Sequence, residues 1–466
     1  MKVSIIAVIG LAGRCLAALP VIQDYSKPSL NASQLRIAYN GPNGMSVAWN
    51  TPNKLWRPTV WYGRDVNFPF ESAIGTSTTF NSSTNWDNIV YIRNLLPNTK
   101  YYYRVTDQPA YEGDFNRPEN FYFVTAKEAG DHSSFSIAAF GDLGIITGTT
   151  PETAQIPDTF YSVFEHRSDF DFIWHSGDFG YANDWSEEEA DGIFPNITGS
   201  VAYTDIMNSY YDQFVNVTMN TPYMVGPGNH EAECGVATAN PVNCVAGQQN
   251  FTSYRHHFAM PTQDQTEGYA QNMWYSWNYG MAHFVQLNTE TDFPSAPEHV
   301  YSGPFGTSGQ QIAWLEADLV AVDRTVTPWV IVSGHRPWYS ANTNCTACGD
   351  AFESLMVKYN VDVVWFGHVH YYERDTPIAN GVPDPKGLND PTSPWYITSG
   401  AAGNVEGHSK PISPLPTFVE YVNSTSFGWS MWTFHNSSSL THQFISSETN
   451  EIMDEATLYK NHGLKW

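Results

Sequence analysis

The sequence predicts two domains of different class, an all-β sandwich followed by an α/β domain. Its 466 residues are too many for one ordinary hydrophobic core. Short alternating strand patterns, separated by turn signals, run from about Gln34 to Thr125. Beyond Ser133, apolar strand-like runs alternate with stretches of helical pattern, such as residues 309–322 and 350–359.

The composition is typical of a folded, acidic protein. Hydrophobic residues make up 42% of the chain and charged residues only 15%, which excludes an intrinsically disordered protein. The formal net charge of −25 leaves no basic face to replace counterions, so a general nucleic-acid binder is excluded. An acidic surface also repels phosphorylated molecules. Binding of an anionic substrate therefore requires local positive charge, for which metal ions are the obvious source.

Residues 1–18 predict a secretory signal peptide. Lys2 precedes a mostly apolar run from Val3 to Ala12, and the small residues near Ala18 fit a cleavage site. The run is too short to span a bilayer and no later segment is long enough, which favours a secreted, extracellular protein without a membrane partner. An N-terminal membrane anchor is the alternative.

Asn-x-Ser/Thr sequons also indicate export, because they are acceptors for N-linked glycans on secreted proteins. A cluster of them behind a signal peptide predicts a heavily glycosylated surface. The sequons lie at Asn31, Asn81, Asn196, Asn216, Asn250, Asn344, Asn423 and Asn436.

Cysteine usage predicts disulfides. Cys15 leaves with the signal peptide, and the remaining cysteines are Cys234, Cys244, Cys345 and Cys348. An even count in an oxidising compartment indicates pairing, with nearest neighbours favoured among three possible pairings. The motif CTAC at 345–348 could instead be half of a zinc site or a redox motif. The sequence has no second cysteine pair at zinc-ribbon spacing, so we favour a structural staple.

Residues 19–127 form the predicted sandwich domain. The segment LPNTKY at residues 96–101 resembles the turn and tyrosine corner of fibronectin type III sandwiches. This domain contains no obvious reactive cluster, so we interpret it as a structural or partner-binding module. The residues that predict chemistry lie in the second domain, at 128–466.

Five apolar strands of the second domain end in glycine followed by potential metal ligands. Functional sites in α/β folds gather at the carboxyl ends of strands, where glycine lets the backbone turn sharply. Asp, Asn and His are good ligands. Each ending alone could be an ordinary loop, but together they predict a metal site. The endings are GDLG at 141–144, GDFGY at 177–181, GNHE at 228–231, GHRP at 334–337 and GHVH at 367–370.

In this order the five endings resemble the motifs of purple acid phosphatases, a branch of the calcineurin-like metallophosphoesterases. Tyr181, three residues after Asp178, separates purple acid phosphatases from other members of that superfamily. The resemblance is to the large plant and fungal form, which also has an N-terminal fibronectin-like domain. It implies that residues 128–466 fold as two packed mixed sheets flanked by helices.

The resemblance also implies a dinuclear metal centre bridged by Asp178. Anionic oxygen donors suit Fe(III), and imidazole with an amide oxygen suits divalent zinc, manganese or iron. The implied ligands of Fe(III) are Asp142, Asp178, Tyr181 and His370. The implied ligands of the divalent ion are Asp178, Asn229, His335 and His368.

The implied function is a secreted acid phosphatase that acts on small phosphate monoesters, with inositol phosphates among the candidate substrates. A hydroxide formed at the metal pair attacks phosphorus, and His230 contacts the substrate and helps to protonate the leaving group. Support of the metal site is the alternative role of His230. Plant relatives carry further histidines after the fourth motif, where residues 338–345 have none. Arg336 and His408 are the candidate replacements for substrate binding.

Two other functions stay open at this level. One is a phosphodiesterase or nucleotide pyrophosphatase on the same scaffold, and the other is a non-catalytic binding protein. The complete set of ligands favours an enzyme.

Overall fold

A computed structural model describes residues 32–66, 71–106, 121–145, 158–184, 199–232, 245–262, 272–298 and 302–462. The predicted signal peptide, the sequons at Asn31 and Asn196 and the predicted pair Cys234–Cys244 lie outside these residues.

The first domain consists of two four-stranded antiparallel sheets, in the orders β1-β2-β6-β5 and β4-β3-β7-β8. The side chains of Trp49, Val90 and Tyr103 fill its interior and are fully buried. In the predicted tyrosine corner, the backbone N–H of Leu96 donates to the hydroxyl of Tyr101 over 3.1 Å. The strands are β1 (Ser33–Tyr39), β2 (Met45–Thr51), β3 (Thr59–Gly63), β4 (Glu71–Ile74), β5 (Thr76–Thr78), β6 (Trp86–Ile92), β7 (Lys100–Thr106) and β8 (Phe121–Val124).

The second domain begins with the strands that form one half of a six-stranded mixed sheet, in the order β13-β11-β9-β23-β24-β25. The short strands β10 and β12 pair with each other. The elements of this first half are β9 (Phe135–Phe140), β10 (Leu143–Gly144), α1 (Thr159–Glu165), β11 (Phe172–His175), β12 (Phe179–Gly180), α2 (Gly199–Thr218), β13 (Tyr223–Val225) and α3 (Thr252–His257).

The rest of the chain builds a seven-stranded mixed sheet, in the order β14-β15-β16-β17-β21-β18-β22, and completes the six-stranded one. The elements of this second half of the domain are β14 (Tyr275–Tyr279), β15 (Ala282–Gln286), α4 (Gln310–Ala321), β16 (Trp329–Ser333), α5 (Thr346–Lys358), β17 (Val363–Phe366), β18 (Tyr372–Asp375), β19 (Ile378–Ala379), β20 (Val382–Pro383), β21 (Trp395–Ser399), β22 (Val419–Asn423), β23 (Gly428–Asn436), β24 (Ser439–Ser446) and β25 (Ile452–Tyr459).

The two large sheets pack face to face through aromatic side chains. The ring of Trp174 on β11 lies 5.1 Å from that of Trp277 on β14 and 5.2 Å from that of Trp365 on β17. The outer face of the seven-stranded sheet is covered by α4 and α5, whose buried residues include Leu315 and Phe352. The predicted fold class, a β-sandwich followed by two packed mixed sheets with helices, is confirmed.

Parallel pairing aligns the strand ends that carry the five motifs. β9 and β13 flank β11 in parallel register, and β16 pairs in parallel with β17. The carboxyl ends of the parallel strands in each sheet therefore meet at one edge, and each motif continues directly from its strand. The motifs follow the strand ends at Phe140, His175, Val225, Ser333 and Phe366.

Helix α5 begins four residues earlier than the predicted stretch at 350–359. Cys345 precedes the first turn, and its sulfur accepts a hydrogen bond from the N–H of Cys348 over 3.2 Å. The structure joins these two cysteines in a disulfide. The cap and the bridge together start the helix at Thr346.

The described sequons differ in how much they present to solvent. Asn81, Asn250, Asn344 and Asn436 are exposed, and Asn216 is half-buried. Asn423 departs from the prediction of a glycosylated surface, because it is only 8% exposed. Its side-chain oxygen accepts hydrogen bonds from the N–H groups of Thr425 and Ser426, each over 3.0 Å, at the end of β22. Glycosylation at Asn423 stays a prediction.

The core also contains a titratable group with a consequence for acid stability. His442 on β24 is fully buried, with Nε2 2.9 Å from Ser430 Oγ and Nδ1 3.3 Å from the hydroxyl of Tyr372. Burial lowers the pKa of His442 from 6.5 to about 3. Between these values the unfolded chain binds one more proton than the folded chain, so acidification destabilises the fold.

Acidification from pH 6.5 to pH 4 should lower the free energy of unfolding of both the unchanged chain and the variant His442→Gln. We expect this drop to be smaller by about 3 kcal/mol in His442→Gln than in the unchanged chain. The amide keeps a hydrogen-bonding side chain but does not titrate. Urea unfolding at both pH values measures the difference. His435→Gln, at an exposed histidine of β23, serves as the control and should leave the pH dependence unchanged. Equal acid sensitivity of His442→Gln and the unchanged chain would contradict the assignment.

Candidate metal centre

The first group of ligand atoms comes from the loops after β9, β12 and β17. The hydroxyl of Tyr181 lies 2.8 Å from His370 Nε2 and donates to Asp142 Oδ1 over 3.2 Å. Asp142 Oδ1 is 3.4 Å from His370 Nε2. All three side chains are buried. A carboxylate, a phenol and an imidazole therefore converge on one point, as the sequence predicts.

The second group lies beside the first and comes from the other loops. His335 Nε2 is 2.9 Å from Asp178 Oδ2 and 3.1 Å from Asn229 Oδ1. Asp178, His335 and His368 each offer a ligand atom, and these atoms lie within 4.8 Å of one another. The structure thus brings together all seven predicted ligand residues in two adjoining groups.

The hydrogen bonds around His335 show that the second group suits a cation. Nδ1 of His335 lies 2.8 Å from the carbonyl oxygen of Ser176, which fixes the proton on Nδ1 and leaves the lone pair on Nε2. This lone pair faces the oxygens of Asp178 and Asn229. Asp178 Oδ2 is buried, and when His335 Nε2 carries no proton this oxygen has no hydrogen-bond donor among the described residues. Three converging acceptor atoms require a positive charge between them.

The titration behaviour of the pair leads to the same conclusion. Burial acts to lower the pKa of His335, but Asp178 and then Asp142 raise it to about 10. Burial acts to raise the pKa of Asp178, yet His335 and His230 hold it well below its usual range. Without a metal ion, a proton on His335 supplies the missing charge. Metal binding would displace this proton, as is usual for imidazole ligands.

Unusual backbone geometry aims the ligands. Asp142, Asp178, Tyr181 and His368 have φ angles of 67°, 61°, 57° and 69°, in the left-handed region that non-glycine residues rarely adopt. Such conformations cost of order 1 kcal/mol or more each and cluster at functional sites. The surrounding fold must stabilise these loops.

Glycine is required where two of the loops touch. A Cβ atom on Gly228 would lie 2.3 Å from Asp178 Oδ1, and one on Gly367 would lie 2.4 Å from Asp142 Oδ2. Both distances are far shorter than any contact between non-bonded atoms. These glycines therefore allow the carboxylates to approach the neighbouring backbone, where Asp142 Oδ2 accepts a hydrogen bond from the N–H of His368 over 2.7 Å.

Glu231 is a positioning residue whose role was not predicted from the sequence motifs. Its buried carboxylate accepts hydrogen bonds from the N–H groups of Gly228 (2.7 Å), Asp178 (3.0 Å) and Phe179 (2.8 Å). It therefore fixes the loop of Asp178 against its own loop, which carries Asn229. The signal was present in the sequence, since Glu231 closes the GNHE motif.

His230 lies at the edge of both groups. Its Nδ1 is 2.7 Å from Asn183 Oδ1, and its ring centroid is 4.1 Å from that of Tyr181. Nε2 is 3.8 Å from Glu406 Oε1 and 3.9 Å from Asp178 Oδ2. Burial lowers the pKa of His230 to about 4, against the effect of Asp178. Asn183 thus orients a neutral imidazole whose Nε2 is directed toward the centre.

Arg336 borders the centre, but carboxylates bind most of its donors. Nε donates to Glu290 over 2.6 Å, and Nη2 lies 3.4 Å from Glu298. Nη1 donates to His368 Nε2 over 3.1 Å. Burial and then Arg336 lower the pKa of His368, so this ring is neutral.

His408 lies on the wall of a cavity above the centre. Its ring stacks on Phe427 with centroids 4.1 Å apart, and its Nδ1 is 3.4 Å from the carbonyl oxygen of His370. The cavity has a volume of about 190 Å³ and its lining is polar. It is lined mainly by Asn342, Thr343, His368, His370, Glu406 and His408.

Comparison with protein families explains the arrangement. Residues 135–372 match the calcineurin-like phosphoesterase family, and residues 32–125 match the purple acid phosphatase N-terminal domain. Residues 393–455 match the family described as iron/zinc purple acid phosphatase-like protein C. The chain belongs to the purple acid phosphatase family. The predicted membership is confirmed.

Several purple and acid phosphatases are similar over nearly the whole chain. Acid phosphatase A of Cryphonectria parasitica is 36% identical, with 97% of each chain covered. Acid phosphatase of Aspergillus ficuum is 30% identical, with 93% of this chain and 88% of the relative covered. Purple acid phosphatase PPD1 from yellow lupin seeds shares the fold, with a TM-score of 0.71 at 19% identity over 93% of this chain and 75% of that one. The predicted enzyme class, a phosphoric monoester hydrolase of the acid phosphatase type, is confirmed by this membership.

We expect Glu231→Gln to weaken zinc binding by about ten- to a hundredfold, because it disturbs the residue that holds a ligand loop. The carboxamide oxygen can accept from two of the three N–H groups, and its NH₂ group then opposes the third. Calorimetric titration of the metal-free protein with Zn²⁺ measures the affinity. Glu316→Gln, at an exposed acid on α4, is the matched control. Zinc affinity that is unchanged in Glu231→Gln would rule out the positioning role.

Proposed function

We propose that this purple acid phosphatase hydrolyses phosphate monoesters at an Fe(III)–M(II) centre and that it is a secreted enzyme. The observation that carries the proposal is the convergence of ligand atoms in two adjoining groups, one formed by Asp142, Tyr181 and His370 and the other containing Asp178. Fe(III) would be held by Asp142, Asp178, Tyr181 and His370. A divalent ion, zinc, manganese or iron, would be held by Asp178, Asn229, His335 and His368.

The donor chemistry of the two groups supports this division. Carboxylates and a phenolate suit a hard trivalent ion, and neutral imidazoles with an amide oxygen suit a divalent one. Burial and the charges of Asp142 and Asp178 raise the pKa of Tyr181 well above its usual value. Ionisation of this phenol therefore requires a strongly charged cation beside its oxygen, which Fe(III) would supply.

A metal pair of this kind contributes Lewis acidity and lowers the pKa of water, so that a nucleophile is available at low pH. We assign the proton-transfer role to His230, whose neutral Nε2 would first take up a proton from solvent, contact the substrate and then give that proton to the leaving group. Asn183 holds its Nδ1 and leaves Nε2 directed toward the centre. Arg336, which donates to His368, and His408, which lines the cavity, would also contact the substrate.

The substrates we propose are small phosphate monoesters, including inositol phosphates. The polar lining and the volume of about 190 Å³ fit a phosphoryl group with a compact leaving group. For secretion, the support is the signal-like segment at residues 1–18 and the cluster of sequons. Among the described residues, no helix combines the length and apolar character needed to span a bilayer.

Comparison of a monoester with its diester tests the class of reaction. With iron and zinc bound, we expect kcat/KM for an aryl monophosphate to exceed that for the matching diester by more than about tenfold. Steady-state kinetics at pH 5 measure both values. Faster cleavage of the diester would favour the phosphodiesterase alternative. No turnover of either substrate by fully metal-loaded protein would favour a non-catalytic binding protein.

Substitution of the phenol tests the identity of the trivalent ion. We expect the purified iron-loaded protein to absorb visible light through phenolate-to-Fe(III) charge transfer, and Tyr181→Phe to lose this band because the phenolate oxygen is gone. Absorption spectra with parallel metal analysis make the measurement. Tyr396→Phe, which removes a different buried hydroxyl on β21, should keep the band. A visible band that survives in Tyr181→Phe would show that this residue is not an iron ligand.

A further inference from the structure

Positive charge is scarce throughout the catalytic domain. Between positions 135 and 462 the sequence contains nine lysine and arginine residues, and none of them falls in the segments outside the described residues. Five of these side chains form ion pairs with carboxylates that do not line the cavity, and two lie over phenylalanine rings. The ion-paired ones are Arg324, Lys358, Arg374, Lys386 and Lys460. Those over rings are Arg167 and Arg255.

The other two basic residues add little positive potential to the cavity. Arg336 is bound by Glu290, which is fully buried, and by Glu298, so the three side chains together carry a net negative charge. Lys410 is exposed and follows the cavity wall in sequence. Its carbonyl oxygen accepts a hydrogen bond from Asn342 Nδ2 over 2.7 Å.

Glu406 places a carboxylate on the wall of the same cavity. Its side chain is 38% exposed, with Oε1 3.8 Å from His230 Nε2 and Oε2 3.6 Å from His370 Nδ1. Apart from histidines, Glu406 is the charged side chain in the lining of this cavity as described. It therefore lies beside both the candidate proton donor and a candidate iron ligand.

The backbone around Glu406 is tied to the metal centre. Its N–H donates to Asn404 Oδ1 over 3.0 Å, and Asn404 Nδ2 donates to the carbonyl oxygen of Asp142 over 3.2 Å. Asn404 is itself buried. The loop that carries Glu406 thus keeps a fixed position relative to the loop of a metal ligand.

We propose that Glu406 makes the site selective for substrates with one phosphoryl group on an uncharged leaving group and against substrates whose leaving group carries further phosphates. This inference rests on the proposed phosphatase function. Bound metal ions would neutralise the phosphoryl group that reacts, but any second phosphate would extend into a cavity where the nearest fixed charge is that of Glu406. At separations of about 6–8 Å and an intermediate effective dielectric constant, that repulsion corresponds to about a tenfold change in kcat/KM. Inositol monophosphate is therefore a substrate, and inositol hexakisphosphate is a poor one.

The test compares these two substrates in the metal-loaded enzyme. We expect Glu406→Gln to raise the ratio of kcat/KM for the hexakisphosphate to kcat/KM for the monophosphate by about five- to tenfold at low salt. The gain should shrink at high salt, because mobile ions screen the repulsion. Glu406→Asp keeps the charge and should keep the original ratio. Glu128→Gln makes the same change in net charge at an exposed position between the domains and should also leave the ratio unchanged.

The ratio separates selectivity from a general effect on catalysis. If Glu406→Gln changes both substrates by the same factor, Glu406 acts through His230 or His370 and the proposal is overturned. It is also overturned if the unchanged enzyme cleaves the hexakisphosphate as efficiently as the monophosphate.

Binding measurements distinguish failure of this proposal from failure of the proposed function. Calorimetry gives the Kd values of inorganic phosphate and tripolyphosphate for metal-loaded protein without any turnover. We expect Glu406→Gln to lower the ratio of the Kd of tripolyphosphate to the Kd of phosphate by about five- to tenfold. A protein that cleaves no ester but shows this shift would refute the phosphatase function and support the charge selectivity. An unchanged Kd ratio would refute the selectivity whatever the activity.

Discussion

Negative charge buried without a matching positive side chain is the constraint on which the catalytic domain depends. Asp142 and Asp178 are fully buried, and the cationic groups within contact distance of them are histidines. A carboxylate in such surroundings is unfavourable unless a cation pairs with it. Asp178 and Asp142 raise the pKa of His335, so a proton on this ring would balance part of that charge when no metal is bound. A metal ion would balance it more completely, so occupation of the centre and stability of this edge of the sheets are linked.

The strained loops at this edge depend on the rigidity of the sheets beneath them. Four ligand residues have left-handed backbone conformations, which persist only where neighbouring contacts over-determine them. Glu231 supplies two such contacts for the loop of Asp178 and a third, to Gly228, within its own loop. Thr289 supplies two for the fourth motif, because its hydroxyl oxygen accepts from the N–H groups of His335 and Arg336, each over 2.9 Å. The aromatic layer around Trp174 holds the strands from which the loops emerge.

Features that depend on local pattern could be predicted from the sequence, and features that depend on distant contacts could not. The strand ends and the ligands on them follow from apolar runs closed by glycine and Asp, Asn or His. The start of α5 was missed because it depends on Cys345, and the burial of Asn423 was missed because a sequon does not report its surroundings. Glu406 reaches the centre from a loop beyond the five motifs. The pairing of Arg336 with Glu290 likewise joins residues 46 positions apart, and no local signal announces it.

Arg336 shows why a basic residue at the right place need not supply positive potential. Sequence reasoning proposed it as a replacement for the histidines that plant relatives carry, since a guanidinium suits phosphate geometry. In the structure, two carboxylates bind the guanidinium, so it can still donate a hydrogen bond but adds no net charge. Attraction of an anionic substrate then falls to the metal ions, which act at short range. In a cavity rich in lysine or arginine the charge of Glu406 would be one contribution among several. Here it is the nearest fixed charge that a second phosphate meets, so one carboxylate can decide which phosphate esters the enzyme accepts.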